Sequence, residues 1–338
     1  MADRRSLPDL VIGHPVSPEY LDVIRDKLYF DRPPLRNRYV RFWVLLLLAT
    51  VIATGGVITN STATVIGAMI VAPLMTPILA TALAVATGDQ RNMVRSLAVA
   101  LGGAAAVVLF SAVITRLVPG PIDTLTNPQI TSRTTVGIIE FLVALASGAA
   151  GAFGVSREDV SDALPGVAIA ISLVPPLCVV GVCLASGANS QALGALLLFA
   201  TNFIAILVSG GVLFAMGGFG SVAFVGFNAR ARRDASIAIV VATVLLLIPL
   251  GLTSLTLTRE AIAERQITAA SAAWLSGSRY RLLQTNAENG VIDVVIGGQG
   301  TPPTTDALKA QLEKQGARNV TFQVGVVPLT TSAVSSTQ

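Results

Sequence analysis

Charge is what this chain has least of. Of its 338 residues only 12% are Asp, Glu, Lys or Arg, against about 25% in a soluble globular chain. Histidine occurs once, at His14 in the N-terminal tail, with no metal-type neighbours. Cysteine occurs twice, at Cys178 and Cys183. Five residues apart on a helix, the two point in different directions and cannot easily pair. They read as small core residues. No HExxH or GxSxG pattern occurs, and no nucleophile–base pair or metal set is visible. An intramembrane enzyme is therefore the weakest of the functional readings, and no cofactor is expected. The first residues, MADRRSLPDLVIGH, lack an apolar core of signal-peptide length, so no cleaved signal is expected.

What is there is apolar. Hydrophobic residues make up 53% of the chain. A membrane helix needs ~20 largely apolar residues. Runs of that kind lie at roughly 41–60, 64–87, 96–116, 136–155, 163–186, 191–214 and 236–256, which predicts seven spans. The net charge of +4 is small and most of it sits in short loops beside those runs. That argues for topology and against nucleic-acid binding. Arg36, Arg38, Arg41, Arg91, Arg95, Arg157, Arg230, Arg232 and Arg233 all fall on one side if the N-terminus is cytoplasmic, and only Arg116 and Arg133 lie in the opposite short loops. The expectation is N-terminus in, C-terminus out.

The fold class expected is an α-helical polytopic membrane protein with a small C-terminal α/β domain. Residues 1–35 form a cytoplasmic tail. In it, SPEYLDVIRDKLYF reads as a short helix, with Ser17 capping, Pro18 first, and Leu21, Ile24 and Leu28 on one face. It is expected to lie against the membrane or the bundle as an anchor. Residues 36–256 form the transmembrane domain. Residues 257–330 read as an extracytoplasmic α-β-β-α-β unit, with a hairpin around Asn289-Gly290 and a helix from Thr304 or Thr305 to Gly316. Residues 331–338 read as a disordered tail.

The membrane part contains a repeat. Shifted by 99 residues, GAMIVAPLMTPILATALAVATG meets GVAIAISLVPPLCVVGVCLASG without a gap. Gly67 falls on Gly166, Leu74 on Leu173, Pro77 on Pro176 and Gly88 on Gly187. Phe42 falls on Phe141, Leu46 on Leu145 and Ala53 on Ala152. Repeat one covers about 41–118 and repeat two about 136–217, and the seventh span at about 236–256 stands outside both. The two sets of three spans start on opposite sides, which makes the repeat inverted, as in many secondary transporters.

Both second spans carry prolines at their centre. Proline removes an i→i−4 bond and pushes the residue before it from helical geometry. Pro77 is expected to free the carbonyl near Pro73, Pro73 that near Met69, and Pro175 and Pro176 those near Ile171 and Ser172. Thr76, Val174 and Pro175 are expected to leave the helix. Irregular backbone at that depth is tolerated only when buried in protein or lining a watery cavity. Half-helix N-termini suit an anion, and freed carbonyls suit a cation. Thr76, Thr81 and Ser172 add hydroxyls, and Asn202 adds an amide in the middle of the sixth span. The alternatives are proline kinks that shape packing, and for Asn202 a structural interhelical hydrogen bond. No ionisable residue occurs at mid-depth, which disfavours proton coupling through a central acid. Glu140 reads as a residue capping a span at the interface. Small residues, such as GGAAA at 102–106 and GAAGAFG at 148–154, are explained by close helix packing.

The stretches IGAMIVAPLMTPILA and ALPGVAIAISLVPPLCVVG resemble the two signatures of a prokaryotic membrane family known as domain of unknown function 389. The resemblance covers roughly residues 40–215. It implies an integral protein of the prokaryotic cell membrane and carries no assigned substrate, cofactor or catalytic residue. The functional expectation therefore rests on the repeat and the breaks. It is a transporter or channel-like protein for a small solute, a small anion or polar neutral molecule. Binding is expected from Gly67, Pro73, Thr76, Pro77, Gly166, Ser172, Pro175, Pro176 and Asn202, in a homo-oligomer within the lipid bilayer. The competing reading is a membrane scaffold or sensor whose outer α/β domain binds a partner or ligand. The missing cytoplasmic effector domain counts against a sensor.

Overall fold

The computed structural model describes residues 17–120, 122–134, 137–157 and 173–222, three strands between 280 and 328, and a few single residues near those strands and at 233 and 237. The chain divides into two compact units, Met1–Gly251 and Leu252–Gln338.

The first unit opens with α1, Pro18–Leu28. The Ser17 hydroxyl accepts from the Tyr20 N–H at 3.1 Å, and Pro18 fills a first-turn position where no partner for an N–H is lost. Tyr20, Leu21, Ile24 and Leu28 are buried. The helix docks on the bundle as expected, and the Tyr20 hydroxyl donates to the Ser156 carbonyl at 2.7 Å. Next come α2 (Leu35–Ile58), α3 (Thr62–Val71), α4 (Met75–Thr87) and α5 (Gln90–Leu117). A four-residue helix α6 (Pro128–Thr131) precedes α7 (Ile138–Val155), α8 (Val174–Ala185), α9 (Asn189–Met216) and the short α10 (Phe219–Val222).

Four of these helices, α2, α5, α7 and α9, are long and apolar enough to cross a membrane. Helices α3 and α4 together make a fifth candidate, bent by 47°. Residues 163–172 of the expected fifth span, 163–186, and all of the seventh, 236–256, except Ile237 lie outside the described residues; α8 falls in the described part of the fifth. Many residues of the long helices turn apolar side chains outward, as Leu109, Leu142, Leu193 and Val212 do. Such exposure suits a lipid surrounding, where apolar atoms meet no water.

Several boundaries keep one spacing. Helices α4 and α8 start 99 residues apart, at Met75 and Val174. Helices α5 and α9 are each 28 residues long and also start 99 residues apart. Before each long helix stands a glycine in the left-handed region, Gly88 at φ 77° and Gly187 at φ 76°. A side chain there would be strained, so glycine closes both turns.

Packing crosses over. Helix α4 lies on α9 as well as on its neighbour α5, and α8 lies on α5 as well as on its neighbour α9. The two half-helices also end in different places. Thr87 and Asp89, at the end of α4, lie beside Tyr29, near where α2 begins. Val179, Val182 and Cys183 of α8 cluster with Val57 at the other end of α2.

The second unit holds a three-stranded sheet in the order β1-β2-β3. β1 (Tyr280–Glu288) pairs antiparallel with β2 (Val291–Gly298), with an irregularity between Leu282 and Gln284. Glu288 pairs with Val291, so Asn289 and Gly290 span the connection, the position expected for the turn. β2 pairs in parallel with β3 (Thr321–Pro328). A parallel neighbour needs a crossover. Thr305, Asp306, Leu308 and Lys309 are helical within it. Leu308 is buried with Trp274, Tyr280, Val294 and Ile296, and the Trp274 indole N–H donates to the Thr304 carbonyl at 3.1 Å.

Candidate functional site

The break between α3 and α4 covers Ala72, Pro73 and Leu74. Its hydrogen bonding differs from the expectation. Pro77 does not strand the Pro73 carbonyl, because that oxygen accepts from the Thr76 N–H at 3.3 Å. Thr76 stays in the helix as its second residue, with Pro77 third. In α8, Val174, Pro175 and Pro176 occupy the first three positions and are buried. Neither Val174 nor Pro175 leaves the helix. The physical reason is common to both: the first N–H groups of a helix have no intrahelical acceptor, so a proline there forfeits nothing. Pro77, Pro175 and Pro176 thus sit in first turns, whereas Pro73 lies in the break between α3 and α4.

The expected site residues then fall into groups. Pro73 and Thr76 are half-buried and Pro77 is buried, all at the start of α4. Pro175 and Pro176 are buried at the start of α8. Gly67 sits on the exposed side of α3, with open space where a side chain would stand. Asn202 is 4% exposed, halfway along α9. Gly166 and Ser172 lie outside the described residues. The Thr81 hydroxyl turns back to the Pro77 carbonyl at 2.8 Å, which satisfies it within its own helix. Glu140 is exposed in the first turn of α7, where a carboxylate complements the helix dipole. Cys178 and Cys183 are free thiols, both buried. Among the described residues no group of three or more His, Cys, Asp or Glu gathers around a metal-sized space.

Around the half-helices, contacts recur at the same 99-residue spacing. A Cβ on Gly181 of α8 would stand 2.7 Å from the Ser111 Cβ and 2.5 Å from the Val108 carbonyl oxygen of α5. A Cβ on Gly210 of α9 would stand 2.9 Å from Leu79 Cδ2 and 3.6 Å from the Ala82 Cβ of α4. Ala82 is the counterpart of Gly181, and Gly210 that of Ser111. The α8–α5 crossing adds hydroxyls. Thr54 of α2 donates to the Ser111 hydroxyl at 3.0 Å, and Ser111 donates to the Cys178 carbonyl at 2.9 Å.

A second polar region was not anticipated from the sequence. The segment Asn127–Thr134 lies against the end of the bundle away from α1. Ile130 is fully buried in the cluster of Val57, Val65 and Val179. Asn127 and Gln129 are also buried. The Asn127 amide donates to the Val57 carbonyl at 2.8 Å. Gln129 donates its backbone N–H to Asn127 Oδ1 at 2.8 Å and its amide to the Thr62 hydroxyl at 2.7 Å. Arg133 donates through Nη1 to the Gln129 carbonyl at 2.8 Å and to Gln129 Oε1 at 3.0 Å. The signal available in the sequence was Asn-Pro, which caps and starts a helix; nothing in the pattern announced burial.

Residues 69–208 match the family described as "Domain of unknown function (DUF389)". That stretch is similar to the domain that defines this family. It begins inside the first signature and contains α4, α5, α7, α8 and most of α9. An uncharacterized protein of the archaeon Methanocaldococcus jannaschii is 33% identical over 192 residues, 57% of this chain and 59% of its own length. The chain thus spans about three fifths of that relative. No solved structure matches the chain.

Proposed function

We propose that the protein is a transporter or channel-like protein, with a small anion or polar neutral solute held between the starts of α4 and α8. The observation that carries this reading is the exchange of half-helices. Each proline-led half-helix packs on the long helix of the other half, and the Ala82–Gly210 contact has its counterpart in Gly181–Ser111. Two half-helices that start inside the bundle and run to opposite ends are the arrangement of an inverted repeat. In this reading their N-terminal dipole ends face each other at mid-depth, where they would favour negative charge.

The spacing also supports Asn202. Its counterpart, Gly103, packs on the break itself, with a Cβ there 3.1 Å from Leu74 Cδ2. By the same relation Asn202 would stand beside Leu173, at the start of α8. An amide there supplies both a donor and an acceptor to a solute. In this reading the chain makes seven spans in the prokaryotic cell membrane, with the N-terminus and α1 cytoplasmic and the sheet outside. It acts as a homo-oligomer, without catalysis or cofactor.

One observation favours the competing scaffold reading. The first turns of both half-helices are lined by apolar side chains, with Leu74, Ile78, Leu173, Val174 and Leu177 all buried. Pro175 and Pro176 also remove two of the N–H groups that α8 would offer an anion.

The test is a solute screen by thermal shift on the purified protein, followed by uptake into liposomes. Thr76→Val, Ser172→Val and Asn202→Leu should fold and lose the solute-dependent rise in unfolding temperature. An unchanged rise in all three removes the central site and leaves the scaffold.

A further inference from the structure

Arginine is treated differently at the two ends of the bundle. At the α1 end, carboxylates meet it: Arg38 pairs with Asp26 and Arg32 with Asp22, each at 2.8 Å, and Arg95 lies 3.9 Å from Asp31. At the other end Arg133 is half-buried, and among the described residues no carboxylate pairs with it. Its neighbours are neutral. Nη1 is occupied by the Gln129 carbonyl and amide oxygens and by the Ser132 hydroxyl. Among the described residues no acceptor meets Nε or Nη2. That edge of the guanidinium carries parallel N–H groups, the geometry that takes two oxygens of one anion.

The side chain is held where it is. The chain of amide contacts from Val57 through Asn127 and Gln129 fixes the loop, and Ile130 anchors it in the core. Gly194 of α9 leaves room for the Thr134 carbonyl, which a Cβ there would strike. Burial lowers the Arg133 pKa from its ordinary value, the nearby Cys178 acting weakly the other way. An arginine keeps its charge under such a shift, so a partly desolvated cation stands here with no anion among the described residues, an arrangement that costs free energy until one arrives.

We propose that Arg133, oriented by Gln129 and Asn127, binds a small inorganic oxyanion such as phosphate. The site is built on the 127–134 segment and lies outside the residues assigned to the half-helix breaks. The inference concerns binding and does not rest on the transport reading.

The experiment follows the unfolding temperature of the full chain in detergent as inorganic phosphate replaces gluconate at fixed ionic strength. A ligand that binds only the folded state raises stability with RT ln(1 + [L]/Kd), so a saturable rise is expected. Arg133→Gln should abolish it. Arg133→Lys keeps the charge but loses the fork, and should raise the half-saturating concentration about tenfold. Arg116→Gln, at an exposed arginine on α5, should leave it unchanged. The absence of a saturable rise in the parent protein overturns the inference, as does the same half-saturation in Arg133→Lys and the parent. Loss of the response in Thr76→Val with Arg133→Gln unaffected assigns the anion to the breaks, and also overturns it.

Discussion

The crossing of α8 on α5 and that of α4 on α9 use equivalent positions and unlike chemistry. At the first, Gly181 presses on backbone atoms, the Val108 carbonyl and the Ala112 N–H, and a hydroxyl chain ties Thr54, Ser111 and Cys178 together. At the second, Gly210 meets the methyl of Leu79 and the Cβ of Ala82, with no hydroxyl at the contact. One geometry is therefore held by close backbone approach and hydrogen bonds in one half, and by apolar fit in the other. Without a hydrophobic drive between helices in lipid, small residues and interhelical hydrogen bonds are the means available. The α8 side uses both.

Substitutions can break that contrast, and the largest effect is expected at Gly181. In Gly181→Ala the new Cβ would stand 2.5 Å from the Val108 oxygen and 2.9 Å from the Ala112 nitrogen. Backbone cannot step aside, so a loss of about 2–3 kcal/mol is expected. It should appear as the largest fall in unfolding temperature of the set. Ser111→Ala comes next. It leaves the Cys178 carbonyl and the Thr54 hydroxyl without their shared partner, for a loss of about 1 kcal/mol. Thermal unfolding of Ser111→Ala and Ser111→Thr in parallel separates hydroxyl from volume, since threonine keeps the hydroxyl. The smallest effect belongs to Gly210→Ala. Its nearest neighbour is the far end of Leu79, which can rotate, and alanine gains about 1 kcal/mol of helix propensity over glycine. A net change within about 0.5 kcal/mol of zero is expected, by the difference of those two terms. Equal losses at Gly181 and Gly210 would erase the contrast.

Much of the fold was legible because the signals are local. Ser17 and Pro18 start α1 as their chemistry requires. Apolar length marks the long helices, and Gly88 and Gly187 close the turns before α5 and α9. The pairing of Glu288 with Val291 leaves two residues between β1 and β2, where the Asn-Gly dipeptide predicted a turn. The prolines were legible as breaks and illegible as helix starts. Proline costs a hydrogen bond in a helix interior and none in the first turn, and only the position of the first turn distinguishes the cases. The 127–134 segment was illegible for a different reason. Asn, Pro, Gln, Thr, Ser and Arg in a row resemble a solvent-facing loop. Their burial depends on partners distant in sequence: the Val57 carbonyl, the Thr62 hydroxyl and the space left by Gly194.

The 13 residues of α4 give a rod of about 20 Å, shorter than the ~30 Å hydrocarbon layer. Alone it cannot cross, and the surface it needs lies partly on α9, which begins more than a hundred residues later. A chain cut between α5 and α7 would therefore leave α4 without the α9 surface it packs on.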